Sequence, residues 1–245
     1  MSTPPKPLGA ETPVRRSLLI YLALMVYLVL VKVALSLASV KVIVASQEEL
    51  FRWPLIGGLT LAGGISVWLG PRTGLPGLWE ASISTRKRLL LPALVGLGLG
   101  VVNLTLQAFT GSAQVLAAAA NVSSINVAFP ASLLFYSGGA IILETIYRLV
   151  LITLPLWLIA NVILRKRGQT QVFWVLALLI SALEPAEQMT LLAGHLELML
   201  VSGVALYGMN VFEAHLLRRY GFLAPLVFRL ALYFVWHIVG GAVGF

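Results

Sequence analysis

The sequence predicts an all-α polytopic membrane protein, a helical bundle with about seven transmembrane helices. Three observations predict it. The 245 residues are 59% hydrophobic and 11% charged, with a mean hydropathy of +0.95; a soluble domain carries about 25% charge. Long apolar runs recur along the whole chain, several of roughly 20 residues, enough for a helix to cross a bilayer. Finally, the lysines and arginines fall in short clusters between the runs, as they do in membrane-flanking loops.

The elements follow in order. Residues 1–16 read as a disordered cytoplasmic tail, because the first ten are polar and proline-rich. Residues 17–126 carry the N-terminal transmembrane helices, in runs at 17–45, 54–70 and 89–109. The first run continues past Lys32, longer than the apolar core of a signal peptide, and reads as an uncleaved helix. Residues 127–245 form a C-terminal helical core, with runs at 127–164, 171–183, 196–217 and 222–245. The run 127–164 exceeds one span, and Pro155 lies within it, so a spanning helix followed by an interfacial or re-entrant one is expected. The run 171–183 is short and is expected to continue through Pro185 to Glu187. Small residues at Gly57, Gly58, Gly63, Gly64, Gly96 and Gly100 suggest close helix contacts.

Charge gives an orientation. With the N-terminus cytoplasmic, the inside segments hold Lys6, Arg15, Arg16, Arg72, Arg86, Lys87, Arg88, Arg165, Lys166, Arg167, Arg218 and Arg219, and the outside segments only Arg52. This asymmetry predicts seven crossings in a plasma membrane of bacterial type, with the C-terminus outside. The net charge of +8 is thus explained without nucleic acid, and the expected partner is the lipid bilayer. The chain has no cysteine, and all nine of its acidic residues are glutamate. Disulfides, thiolate metal sites and Ser-His-Asp triads are excluded. The three histidines lack metal-ligand spacing, so neither a metal nor a cofactor is expected.

The candidate chemistry lies in the charges that interrupt apolar runs. Within 127–164 the charged residues are Glu144 and Arg148, in IILETIYRLVL. Positions i and i+4 share a helix face, so the two read either as a self-neutralising ion pair or as a carboxylate base with an orienting arginine. Glu184 and Glu187 flank Pro185; they either end a helix in water or turn inward. Arg229 and His237 lie eight residues apart on roughly one face of the last helix. Arg229 either snorkels to the nearby surface or faces the interior, and His237 is either a satisfied interior histidine or a catalyst. Lys32 and Lys41 line the bundle or snorkel. His195 and His215 look interfacial.

On these residues the chain resembles the CPBP family of intramembrane peptidases (CAAX protease and bacteriocin-processing), which includes the type II CAAX prenyl endopeptidase. That family carries Glu-Glu-x-x-x-Arg in an apolar helix, then Phe-x-x-x-His, and finally His-x-x-x-Asn after a Gly-x-x-x-Ala-Pro stretch. Glu144, Thr145 and Arg148 in LETIYRL match the first motif, with Thr145 replacing the second glutamate. Arg218, Arg219, Tyr220, Gly221, Ala224 and Pro225 in RRYGFLAP match the stretch that opens the last helix. The histidine position then falls on Arg229 and the asparagine position on Tyr233. Leu183 and Glu187 match the middle motif loosely. The likeness spans 129–240.

The resemblance implies a CPBP-like core. It also implies an endopeptidase acting on a membrane-associated or prenylated peptide, with Glu144, Arg148, Glu187, Arg229 and His237 as the catalytic set and Glu144 as general base. Both family histidines are replaced. The alternative expectation is therefore a catalytically inactive relative that serves a membrane-protein partner as scaffold or accessory subunit.

Overall fold

The computed structural model describes residues 12–38, 49–119, 122, 124–192 and 194–243. Its helices are α1 (Thr12–Leu37), α2 (Trp53–Leu69), α3 (Leu91–Thr110), α4 (Ser112–Ala119), α5 (Ala131–Glu144), α6 (Gln169–Ser181), α7 (Leu183–Leu191), α8 (Leu196–Tyr220) and α9 (Leu223–Tyr233). Wider i→i+5 turns prolong several of them. With these counted, seven helical stretches are long and apolar enough to cross a membrane, and the described residues contain no strand. The all-α polytopic bundle is as the sequence predicts.

The apolar surface is turned outward. Leu22, Leu30, Leu61, Val101, Leu179, Val201 and Val204 are all more than half exposed. Such a surface would aggregate in water and suits a hydrocarbon solvent. Helix association in lipid gains little from apolar burial; close packing and interhelical polar contacts hold the bundle instead. Helix α3 packs backbone to backbone against α9 and the turns that prolong it. A Cβ on Gly96 would strike the backbone carbonyl of Phe228, and one on Gly100 would come within 2.7 Å of the Val235 side chain. Gly63 of α2 likewise admits the Tyr21 ring of α1, whose hydroxyl donates to the Leu59 carbonyl at 2.7 Å. Gly57, Gly58 and Gly64 face open space, so half of the small-residue pairs seen in the α2 sequence carry no packing.

Two expectations are corrected. First, α1 begins at Thr12, so Arg15 and Arg16 belong to its opening turns rather than to a tail. Residues 1–11, and Lys41, lie outside the described residues; Lys32 is half-buried on α1. Second, the run 127–164 does not break. One continuous helix of 33 residues, α5 together with the turns that prolong it and hereafter called α5, runs from Ala131 to Ile163, roughly 50 Å at 1.5 Å per residue. Pro155 is tolerated because i→i+5 turns at Thr145–Thr153 and Trp157–Ile163 flank it and rewind the backbone around its missing N–H. The run at 171–183 continues through Pro185 as expected, in a helical stretch from Gln169 to Thr190 that is interrupted only at Ala182, between α6 and α7.

The long α5 helix lies at the centre, against α1, α2, α6 and α9. Ala140, Ile141, Ile142, Glu144, Thr145 and Arg148 are all at most 2% exposed. The position of α5 decides the fate of its two charges. Neither can reach a surface, so each must find its partner inside the protein.

Candidate functional site

Glu144 lies about 20 Å along the helix from Ala131, at the junction where α5 changes winding. The i→i+5 turns begin at the next residue, Thr145. Turns of this kind often mark functional positions in helices. Here they swing Arg148 away from the simple i,i+4 alignment. Arg148 Nε stands 3.7 Å from Glu144 Oε2, an ion pair without a hydrogen bond. The two residues spend their stronger bonds on other helices.

Those bonds converge on Arg229 of α9. Its Nε donates to Glu144 Oε1 at 2.6 Å and to Glu213 Oε1 at 3.1 Å. Its Nη1 donates to Glu184 Oε1 at 2.8 Å and to the Tyr233 hydroxyl at 3.1 Å. Its Nη2 donates to Glu184 Oε2 at 3.0 Å, Glu213 Oε2 at 2.7 Å and Asn210 Oδ1 at 3.3 Å. Arg148 joins through Nη2, which donates to Glu213 Oε2 at 2.6 Å and to Asn210 Oδ1 at 2.5 Å. Asn210 is itself oriented by an Nδ2 bond to the Leu206 carbonyl at 3.1 Å. The cluster thus ties α5, α7, α8 and α9 together. Glu144, Arg148 and Glu213 are wholly buried, and Glu184 and Arg229 are 5% and 2% exposed.

The hairpin between α8 and α9 explains how Glu213 meets Arg229. Gly221 turns the chain with φ +80, a left-handed value that favours glycine. A Cβ there would also come within 2.7 Å of the Gly77 carbonyl. Glu213 lies eight residues before Gly221 and Arg229 eight residues after it. In an antiparallel pair of helices, equal distance from the turn means equal depth. Arg229 therefore does not snorkel.

The sequence-derived set divides. Glu144, Arg148 and Arg229 come together. Glu187 does not: it is exposed in the middle of α7, and its backbone carbonyl accepts the Thr190 hydroxyl at 2.6 Å. Glu184, three residues earlier and so on another part of the helix face, turns inward instead. His237 also stands apart. Its Nδ1 bonds Asn126 Oδ1 at 2.8 Å, and its ring stacks on Tyr136 and Trp236 at 4.4 Å each. It meets the cluster only through the edge of Tyr233, at 5.0 Å. His237 reads as a satisfied interior histidine, away from the carboxylates.

Asn210 and Glu213 were not anticipated from sequence. Their signal was available: Glu213 interrupts the apolar run 196–217, and its symmetry with Arg229 about Gly221 marks the two as partners.

Chemically the cluster opposes three carboxylates to two guanidiniums. Among the described residues no group of three or more histidine or acidic side chains has metal-binding geometry. The carboxylates are held by arginines instead. A guanidinium offers five N–H donors, and the bonds above engage all three nitrogens of Arg229. Compared with protein-family models, with curated proteins and with solved structures, the chain matches none.

Proposed function

We propose that this chain is a CPBP-like membrane protein whose polar centre acts as an ionic lock. In this reading it serves a membrane-protein partner as a scaffold or accessory subunit, without cleaving peptide bonds. The observation that carries the reading is the state of Arg229. It occupies the position where the resembled family has a catalytic histidine, and three carboxylates, an amide and a phenol hold it in a buried interior. A general base must hold a lone pair ready for a water or for the proton it abstracts. Arg229 has none, and it takes up Glu144 Oε1. The middle motif supports the same reading. Ile180 and Glu184 have the same four-residue spacing as Leu183 and Glu187, and of the two glutamates it is Glu184 that reaches Arg229. Both histidine positions are then filled by a mutually neutralising acid and base. Orientation with the N-terminus cytoplasmic in a bacterial plasma membrane belongs to this proposal, on the distribution of lysine and arginine.

A peptidase reading keeps one observation in its favour. Glu144 Oε2, Arg148 Nε and Arg148 Nη1 are buried and make no hydrogen bond among the described residues. One carboxylate oxygen thus remains uncommitted beside a cation. One experiment separates the two readings. The purified chain is reconstituted in proteoliposomes with prenylated and unprenylated peptides, beside Glu144→Gln. The lock reading expects no product from either protein. Cleavage by the wild type that disappears in a folded Glu144→Gln variant would overturn it in favour of the peptidase.

A further inference from the structure

The end of the bundle that gathers the basic loops holds a groove between α1 and α2, unrelated to the buried cluster. Its volume is about 760 Å³. One wall is a stripe on α1 formed by Arg15, Leu18, Leu19 and Leu22, whose spacing of three, four and seven places them on one helix face. The other wall is Trp68 and Arg72, where α2 passes into its closing turn. The groove is therefore amphipathic along its length. Leucines line the part toward the middle of the bundle, and two arginines stand at its outer end.

The two arginines differ from the rest of the basic end. Arg16, the neighbour of Arg15, is drawn over the Trp79 ring at 4.7 Å, and Arg88 is buried on the same ring at 4.5 Å. Arg218 is committed to the Gly74 carbonyl and the Thr170 hydroxyl. Arg15, by contrast, makes no hydrogen bond or ion pair among the described residues. Arg72 is held in place. Its Nη1 donates to the Trp68 carbonyl at 2.6 Å, and its guanidinium carbon lies over the Trp68 ring, 3.7 Å from the centroid. The remaining N–H groups of Arg72 are uncommitted, so a fixed donor fork and a free cation flank one opening.

We infer that this groove binds one anionic phospholipid, with its phosphate between Arg15 and Arg72 and an acyl chain along Leu18, Leu19 and Leu22. The occupant follows from the chemistry of the walls. Arginine matches phosphate oxygens in a two-pronged geometry, and two cations favour a headgroup whose phosphate charge no choline offsets. A free phosphate ion would use the arginines but leave the leucine stripe without a role. Trp68 stands at the boundary between the two, where aromatic side chains settle at a membrane interface.

The test uses the full chain in detergent, read by native mass spectrometry during titration with dioleoyl phosphatidylglycerol or dioleoyl phosphatidylcholine. One phosphatidylglycerol is expected to bind saturably and in preference to phosphatidylcholine. The double variant R15Q/R72Q is expected to weaken it roughly thirtyfold, from two surface cations acting together. The double variant R165Q/K166Q removes the same charge from an exposed loop of the same end and is expected to change binding less than threefold. Leu22→Trp, which fills the groove without altering charge, is expected to weaken phosphatidylglycerol binding as well. All these positions are exposed, and size-exclusion profiles confirm that each variant is folded. Equal loss in the two double variants would reduce the effect to general surface charge. Binding unchanged by Leu22→Trp, or competition by glycerol phosphate at the same concentration as the lipid, would make it an ion site instead. Either result overturns the lipid assignment.

Discussion

Arg229 is the residue on which the interior depends. A buried ion loses its hydration and is stabilised only when partners surround it closely. The cluster holds more acids than bases, so its tolerance of substitution should be unequal. Glu144→Gln removes one of three negative charges and keeps an oxygen for Arg229 Nε. Arg229→Gln leaves three carboxylates with Arg148 as their one close cation. We expect Glu144→Gln to cost no more than about 1–2 kcal/mol, and Arg229→Gln to cost about 3–5 kcal/mol or to prevent folding. Equilibrium unfolding in mixed detergent–SDS micelles measures both, and equal costs would refute the charge imbalance. A second prediction concerns the pair Arg148 and Glu213, which meet at 2.6 Å. A double-mutant cycle with Arg148→Met and Glu213→Gln should show a coupling of about 1–3 kcal/mol; additive losses would mean the contact carries no stability. The sequence made Glu144, Arg148 and Arg229 visible because each interrupts an apolar run. It misdirected the reading to Glu187, because the resembled middle motif was laid on Leu183 and Glu187 and helix phase across a break cannot be read from spacing. His237 was equally visible, but its aromatic stack and its bond to Asn126 come from residues distant in the chain.

At the scale of elements, the hairpin of α8 and α9 sets the depth at which the charges meet. Gly221 provides it through a left-handed turn pressed against the Gly77 carbonyl. Gly221→Ala should therefore destabilise by about 1–3 kcal/mol, through backbone strain and a forced shift of the loop at Gly77. The same unfolding assay applies, and a neutral result would show that the turn adapts. The contact of α3 with α9 is stricter, since Gly96 faces main-chain atoms that cannot rotate away. Glycine spacing in the sequence marked Gly96 for close approach but could not separate it from Gly57 or Gly58, which face open space. A glycine records that close approach is allowed, and only the neighbouring helix decides whether it is used. The long α5 helix carries the same lesson for Pro155. A proline in an apolar run suggests a break, whereas i→i+5 turns on either side absorb the lost hydrogen bond.

For the whole molecule, apolar side chains cover the outside as well as the core, and the ion cluster is set within that apolar interior. Composition alone foretold the apolar outside, because a chain so apolar has no other solvent available to it than lipid. Which way the bundle faces is a separate matter, fixed by charge in the loops rather than by packing. The alternation of seven spans puts Lys166, ahead of α6, and Glu197, in the first turn of α8, at opposite ends, since one crossing at Gln169–Thr190 lies between them. Both side chains are exposed. The absence of cysteine makes this directly measurable, because a single introduced thiol is the only one in the chain. In intact bacterial cells, a membrane-impermeant maleimide should label Glu197→Cys and should reach Lys166→Cys only after permeabilisation. The reverse pattern would invert the bundle and move the Arg15–Arg72 groove to the outer leaflet. Labelling of both thiols from one side would mean that Gln169–Thr190 does not cross. Glu184 would then have to approach Arg229 from a helix that enters and leaves on the same face, which the break at Ala182 would have to permit. The bidentate bond of Glu184 to Arg229, at 2.8 and 3.0 Å, favours the crossing, because it fixes α7 deep inside the bundle.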